Sequence, residues 1–263
     1  MLRRPLGGVA ALLAAAALAG CGGGEPRRGA PATAPAAPPA TARLVTETVG
    51  RGVQQSTIIR PDVPRPLPAV VFLHGWGAPE PAFYRPWLEH LARRGSAVVY
   101  PRYQDSFVQP PRQALGNVVA ALRIALARPG LLTGSLVVAG HSAGGALAAD
   151  YAALAATAGL PRPRAIFAAY PGRRLRRIPD GLPEIPPRLI APGTRIVALA
   201  SRADRVVGTR TARELVRGAT RARPRLVLVD DPAAGDHVAP QRADAAARRA
   251  FWAPLDRLIA AVR

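Results

Sequence analysis

The stretch LVVAGHSAGGALAADYAA, residues 136–153, sets a serine between glycines as Gly140-His141-Ser142-Ala143-Gly144. The chain of 263 residues holds only six serines, and a hydroxyl attacks a carbonyl well only when a base takes its proton. Four histidines are candidates for that base. His74 opens HGWG, His90 sits inside YRPWLEHLARRG, His141 precedes the serine, and His237 stands in GDHVAP. An imidazole in this role needs a carboxylate to orient it and balance its charge. Between Ser142 and His237 lie Asp150, Asp180, Glu184, Asp204, Glu214, Asp230, Asp231 and Asp236. With 25 glycines in the chain the pentapeptide can arise by chance, so its surroundings must decide.

Those surroundings alternate in type from residue 42 onward. Strand-like runs read at 44–49, 53–59, 69–74, 96–100, 135–140, 165–170, 195–200 and 225–230. Helix-like stretches fall between the later ones, at 80–94, 111–128, 143–158, 208–219 and 240–262. Two strands followed by alternating strand and helix predict an α/β fold, mostly parallel, with an antiparallel N-terminal edge. With only 5% aromatic residues, the core is expected to be largely Ala, Val and Leu. Ser142 then falls on a sharp turn from strand to helix. Its glycine neighbours permit close approach of the two elements, and the helix N-terminus offers free N–H groups to a developing oxyanion.

Strand, Gly-flanked serine turn and helix together resemble the nucleophile elbow of the α/β-hydrolase fold, and the resemblance covers residues 42–263. It implies a central sheet of about eight strands with helices on both faces. In that family the order is serine, acid, histidine, and His237 alone among the histidines lies C-terminal to Ser142, in a loop after the last strand. The acid it implies is Asp204, in ALASRADRVV just past a strand end, where open α/β sheets put their chemistry. Asp180 is the alternative, because some members carry the acid one strand earlier. FLHGWG, residues 72–77, resembles the family's HGxG loop, which implies that the backbone N–H groups of Trp76 and Ala143 bind the oxyanion.

The N-terminal region reads differently. Residues 1–20 join a basic start to a short apolar run, the pattern of a secretory signal. The run ends in Leu18-Ala19-Gly20-Cys21, which resembles the lipobox of bacterial lipoproteins and implies a lipid-modified Cys21. It is the chain's only cysteine, so no disulfide is expected in the body. Residues 21–41 are rich in Gly, Pro and Ala and read as a tether. The location implied is the outer face of a bacterial cell membrane, with the body exported and lipid-anchored. All 36 basic residues are arginine, against 16 acids, for a formal charge of +20. The arginines are scattered and no nucleic-acid module is legible, so no nucleic-acid partner is expected. An anionic envelope surface remains a candidate partner.

The resemblance implies a serine hydrolase that cleaves carboxylic esters through an acyl-enzyme, with a small or lipid-like ester as substrate and no metal or organic cofactor. Carboxylesterase and dienelactone-hydrolase-like activities come first. Acyl transfer and peptidase chemistry use the same three residues. A different class also stands: a body of this fold that binds an anionic envelope polymer without turnover. The connection at 171–192 is expected to form a short proline- and arginine-rich cap, and it holds Arg173, Arg174, Arg176 and Arg177. These arginines either draw anionic substrates or headgroups, or simply follow the composition of the chain.

Overall fold

A computed structural model describes residues 42–174 and 181–263. The signal segment, Cys21, the tether, and Arg176, Arg177 and Asp180 of the cap lie outside the described residues.

Eight strands form one sheet: β1 Leu44–Val49, β2 Ser56–Pro61, β3 Leu67–Leu73, β4 Ala97–Pro101, β5 Leu131–His141, β6 Ala165–Ala169, β7 Arg195–Ala200 and β8 Arg223–Leu228. Their spatial order is β1-β2-β4-β3-β5-β6-β7-β8. β1 and β2 run antiparallel at one edge, and every pair from β4 to β8 is parallel. The expected edge and the expected parallel body are both present. All the parallel strands therefore end at one rim of the sheet, and the loops that leave this rim gather there.

The helices are α1 Arg85–Arg93, α2 Ala114–Ala125, α3 Ala143–Leu154, α4 Arg210–Gly218, α5 Ala245–Ala247 and α6 Ala253–Ala260. Alternation along β3 sends Val71 and Leu73 to one face and Val70 and Phe72 to the other, as period-2 side-chain geometry requires. The first face carries α2, α3 and α4, and the second carries α1, α5 and α6. The first core is the Ala, Val and Leu interior expected from composition. The second concentrates the few aromatics, with Phe72, Tyr84, Trp87, Phe167, Phe251 and Trp252 packed together.

The central helix α3 is buried from Ala143 to Ala152, and its small residues let it lie close to the sheet. A Cβ at Gly144 would run into the Leu73 carbonyl, and one at Gly140 into that of Gly144. Two expectations shift. β2 begins at Ser56 rather than 53, because Gly52–Gln54 form a single 3₁₀ turn. The C-terminal helix, expected as one piece over 240–262, is broken by a π turn over Arg248–Trp252. Pro254 has no N–H to donate, which accounts for the local widening. Among the described residues no helix is long and apolar enough to cross a membrane.

Candidate active site

Ser142 occupies the turn between β5 and α3 at φ 54°, ψ −121°, a region that side chains other than glycine rarely enter. The strain is held from several sides. Ser142 N–H donates to the Ala169 carbonyl of β6 at 3.0 Å, and its own carbonyl accepts from Gly145, Ala146 and Gly172. The hydroxyl is thereby aimed out of the sheet rim, although the residue is only 8% exposed.

His237 reaches it from the loop after β8. Its Nε2 lies 2.9 Å from Ser142 Oγ, and its Nδ1 lies 2.8 Å from Asp204 Oδ2. Asp204 is on the loop after β7, with its side chain fully buried. Its other oxygen accepts from the Val206 and Val207 N–H groups at 2.8 and 3.1 Å. Burial pushes this carboxyl up, yet the His237 ring and the two N–H donors outweigh burial and hold it below its ordinary value. An ionised Asp204 can only accept, so Nδ1 of His237 carries the proton and Nε2 is free to accept from the serine. Three residues from three loops are thus joined in one relay.

Three of the other candidate acids are occupied elsewhere. Asp236 accepts from Val238 N–H and pairs with Arg242, Asp231 pairs with Arg249, and Glu214 pairs with Arg210. His90 binds Asp256 across α1 and α6. His74 is fully buried between Tyr100 and Tyr103, with each ring nitrogen 2.7 Å from a carbonyl, those of Gly75 and Arg102.

The HGWG loop abuts the serine. A Cβ on Gly75 would come within 3.5 Å of Ser142 Cβ. The N–H groups flanking Trp76 are committed, that of Gly75 to the Tyr84 hydroxyl at 3.0 Å and that of Gly77 to Gln104 Oε1 at 2.8 Å. Ala143 opens α3, so its N–H lies outside the intrahelical ladder. No group of three or more His, Cys, Asp or Glu side chains that could hold a metal ion occurs among the described residues.

A family model for the alpha/beta hydrolase fold matches residues 70–188. The fold is that of an α/β hydrolase. The matched segment carries the HGWG loop and Ser142, while Asp204 and His237 lie beyond it. Solved structures agree on the architecture. The chain is 18% identical to a thermostable esterase from Pseudomonas putida, over 84% of each chain, with a TM-score of 0.65. It is 21% identical to a fungal esterase from Rhizomucor miehei, over 84% of this chain and 82% of that one, at 0.64. A Klebsiella pneumoniae protein assigned as a dienelactone hydrolase is 20% identical, over 83% of this chain and 99% of that one, at 0.61. No curated protein matches the chain in sequence.

Two features of the site are not evident from sequence. His141, the residue before Ser142, is one of them. Its Nε2 lies 2.8 Å from the carbonyl of His237 and its Nδ1 2.7 Å from the Tyr84 hydroxyl. A carbonyl only accepts, so Nε2 carries the proton and Tyr84 donates to Nδ1. The HGWG loop, Tyr84, His141 and the His237 backbone are therefore one buried chain of hydrogen bonds. No local pattern signals this, since Tyr84 and His237 are remote from His141 in sequence.

The second feature is Asp150, set aside in the sequence because it falls on a helix. It is fully buried in α3, where Arg173 binds it through two N–H groups at 2.8 Å and Ile185 N–H adds a third bond at 3.0 Å. Arg173 also donates to the Pro183 carbonyl. Arg173 is thus a clamp that holds both ends of the cap to α3, rather than a free cation for substrate. Replacing it with alanine strands a buried carboxylate, and such losses run to ~3 kcal/mol or more. Urea unfolding of Arg173→Ala is expected to show that drop, and an unchanged midpoint would contradict the clamp.

Proposed function

We propose that this hydrolase is a serine esterase working through an acyl-enzyme, with Ser142, His237 and Asp204 as its catalytic residues. The observation that carries the reading is the continuous relay from Ser142 Oγ to His237 and on to Asp204, at 2.9 and 2.8 Å. Ser142 Oγ adds to the ester carbonyl while His237 Nε2 takes its proton. The carbonyl oxygen becomes an oxyanion beside the N–H groups of Trp76 and Ala143. Collapse breaks the C–O bond, and His237 returns the proton to the departing alcohol. Water then repeats the sequence on the acyl-enzyme, yielding the acid and free Ser142. Asp204 stays ionised throughout and stabilises the imidazolium that forms.

The rim supports an apolar acyl group. Among the described residues, five of the eight exposed large hydrophobics, Phe83, Phe107, Val108, Val206 and Val238, leave the carboxyl ends of β3, β4, β7 and β8. Such gathering on one end marks a binding surface rather than incidental exposure. A cavity of about 320 Å³ opens beside Val206, lined by Gly172 and Val207 on the apolar side and by Arg173, Arg174, Glu184, Arg210 and Glu214 on the charged side. Gly172 donates to the Ser142 carbonyl, and the two valines donate to Asp204, so the cavity adjoins the relay.

A panel of p-nitrophenyl esters of rising acyl length tests the reading. Each methylene covered by the rim contributes up to ~0.8 kcal/mol. Thus kcat/KM is expected to rise by about two- to fourfold per methylene until the rim is filled, and the rise should flatten in Phe107→Ser/Val108→Ser. A folded protein that neither turns over any ester nor reacts with a fluorophosphonate at Ser142 would instead favour binding without turnover. The setting proposed is export with lipid attachment at Cys21, which metabolic labelling with a fatty-acid analogue would detect in the wild-type protein and miss in Cys21→Ser.

A further inference from the structure

The end of the sheet opposite Ser142 is built differently from the catalytic rim. Arg162, Arg164, Arg195 and Arg223, at or just before the starts of β6, β7 and β8, surround a cavity of about 420 Å³. All four are exposed, and no carboxylate lines the cavity. Sheet register makes the crowding unavoidable. Arg195 and Arg223 are direct partners across β7 and β8, so their side chains leave the same face about 4.8 Å apart. Like charges set directly opposite oppose strand pairing. An anion seated between them removes that penalty, and a guanidinium presents its N–H groups in the geometry that a phosphate accepts.

The same end is where the chain enters the domain. Arg93 Nη1 donates to the Ala42 carbonyl at 3.4 Å, and the next residue, Arg94, accepts through its carbonyl from Arg263 at 3.2 Å. Val262, one residue before Arg263, lines the cavity. Residues 22–41 can reach at most ~70 Å, so a lipid at Cys21 would keep the body near a bilayer without orienting it. β1 stands at the opposite edge of the sheet from β7 and β8 but starts at the same end, and exposed arginines on that end are suited to anionic headgroups.

We propose that this arginine-lined end is a docking surface for an anionic phospholipid bilayer, which turns the Ser142 rim away from the membrane. The surface goes beyond the esterase reading and rests on the Cys21 anchor only for its setting. A bilayer fits better than a soluble anion because the cations are exposed around an open mouth on the end of the sheet where β1 also starts, rather than closed around one ligand.

The test reconstitutes the full chain into vesicles of phosphatidylcholine with about one-third phosphatidylglycerol, carrying a trace of headgroup photoprobe lipid. Crosslinks are mapped by mass spectrometry. Labelling is expected in peptides holding Arg162–Arg164, Arg195 and Arg223. It should fall at least ~tenfold when these four become glutamine, and likewise in ~1 M salt, where screening acts within about 3 Å. A control that neutralises Arg51, Arg85, Arg112 and Arg213, which lie toward the other end of the sheet, should label like wild type. Turnover of a soluble ester and the circular dichroism spectrum report the intact fold in both variants. Equal losses in the two variants, equal labelling without phosphatidylglycerol, or labelling centred on Phe107 and Val108 would overturn the proposal. Loss of labelling in millimolar inorganic phosphate at constant ionic strength would assign the cavity to a soluble anion and overturn it as well. The same spectra show whether Cys21 carries acyl chains, so failure of the anchor is read separately from failure of the surface.

Discussion

Replacing Ser142 with alanine is expected to lower kcat on the best ester of the panel by ~10⁵–10⁶-fold while leaving unfolding cooperative. In the proposed mechanism this side chain is the nucleophile, with its Oγ 2.9 Å from His237 Nε2. Asp204→Asn is expected to cost ~10⁴-fold, for a different reason. An amide in that place, still facing Val206 and Val207 N–H through its oxygen, would turn its NH₂ toward Nδ1 of His237. The proton would then move to Nε2, which points at Ser142 and could no longer accept. Because the three residues act as one unit, Ser142→Ala/Asp204→Asn should be little worse than Ser142→Ala alone. Steady-state kinetics on the purified variants decides the matter. If Ser142→Ala keeps more than about a tenth of the activity, the nucleophile lies elsewhere. Full activity in Asp204→Asn, with loss in Asp180→Asn, would move the acid to the cap.

Much of this arrangement was legible because the signals are local. The β-branched runs around Val70 and Val98 and the Leu-Val-Val run before Gly140 mark strands by themselves, and the alternation of strand with helix forces a parallel sheet whose loops converge. Boundaries slipped where tertiary partners decide them. β5 starts four residues before its apolar run, because Leu131 and Leu132 pair with Leu67 and Pro68 across a bulge in β3. The supports of the site were the least legible. Asp150 reads only as a residue on a helix until Arg173 and Ile185 arrive from the cap, and His141 only as the residue before Ser142 until Tyr84 and His237 close on it. Each depends on groups brought together only by the fold, so no periodicity in the sequence announces it.

Two buried histidines, His141 and His74, are expected to make the protein sensitive to acid. Burial first of all, with the nearby His237 adding to it, lowers the pKa of His141 to about 3, against the opposing pull of its bond to the His237 carbonyl. Burial likewise lowers that of His74 to about 4. In the unfolded chain both titrate near 6.5, so below that pH the unfolded state binds two protons that the folded state refuses. Stability is therefore fully present above pH 6.5 and falls as pH drops toward the folded values. Each histidine contributes a slope of ~1.4 kcal/mol per pH unit, so the pair removes ~5 kcal/mol between pH 6.5 and 4.5. That is comparable to the whole stability of an ordinary domain. Urea unfolding at a series of pH values should show the loss, and a flat profile between pH 7 and 5 would refute it. His141→Gln keeps an N–H for the His237 carbonyl and an oxygen for the Tyr84 hydroxyl, yet cannot titrate, so its slope should be about half that of wild type. The chemistry is expected to fail with the fold. A proton on Nδ1 of His141 would face the Tyr84 hydroxyl, whose oxygen already accepts from Gly75 and Gln241, and the hydroxyl could no longer donate to the ring. Protonation would thus cut the link that joins the HGWG loop to the backbone of His237, and acid would loosen both in one step.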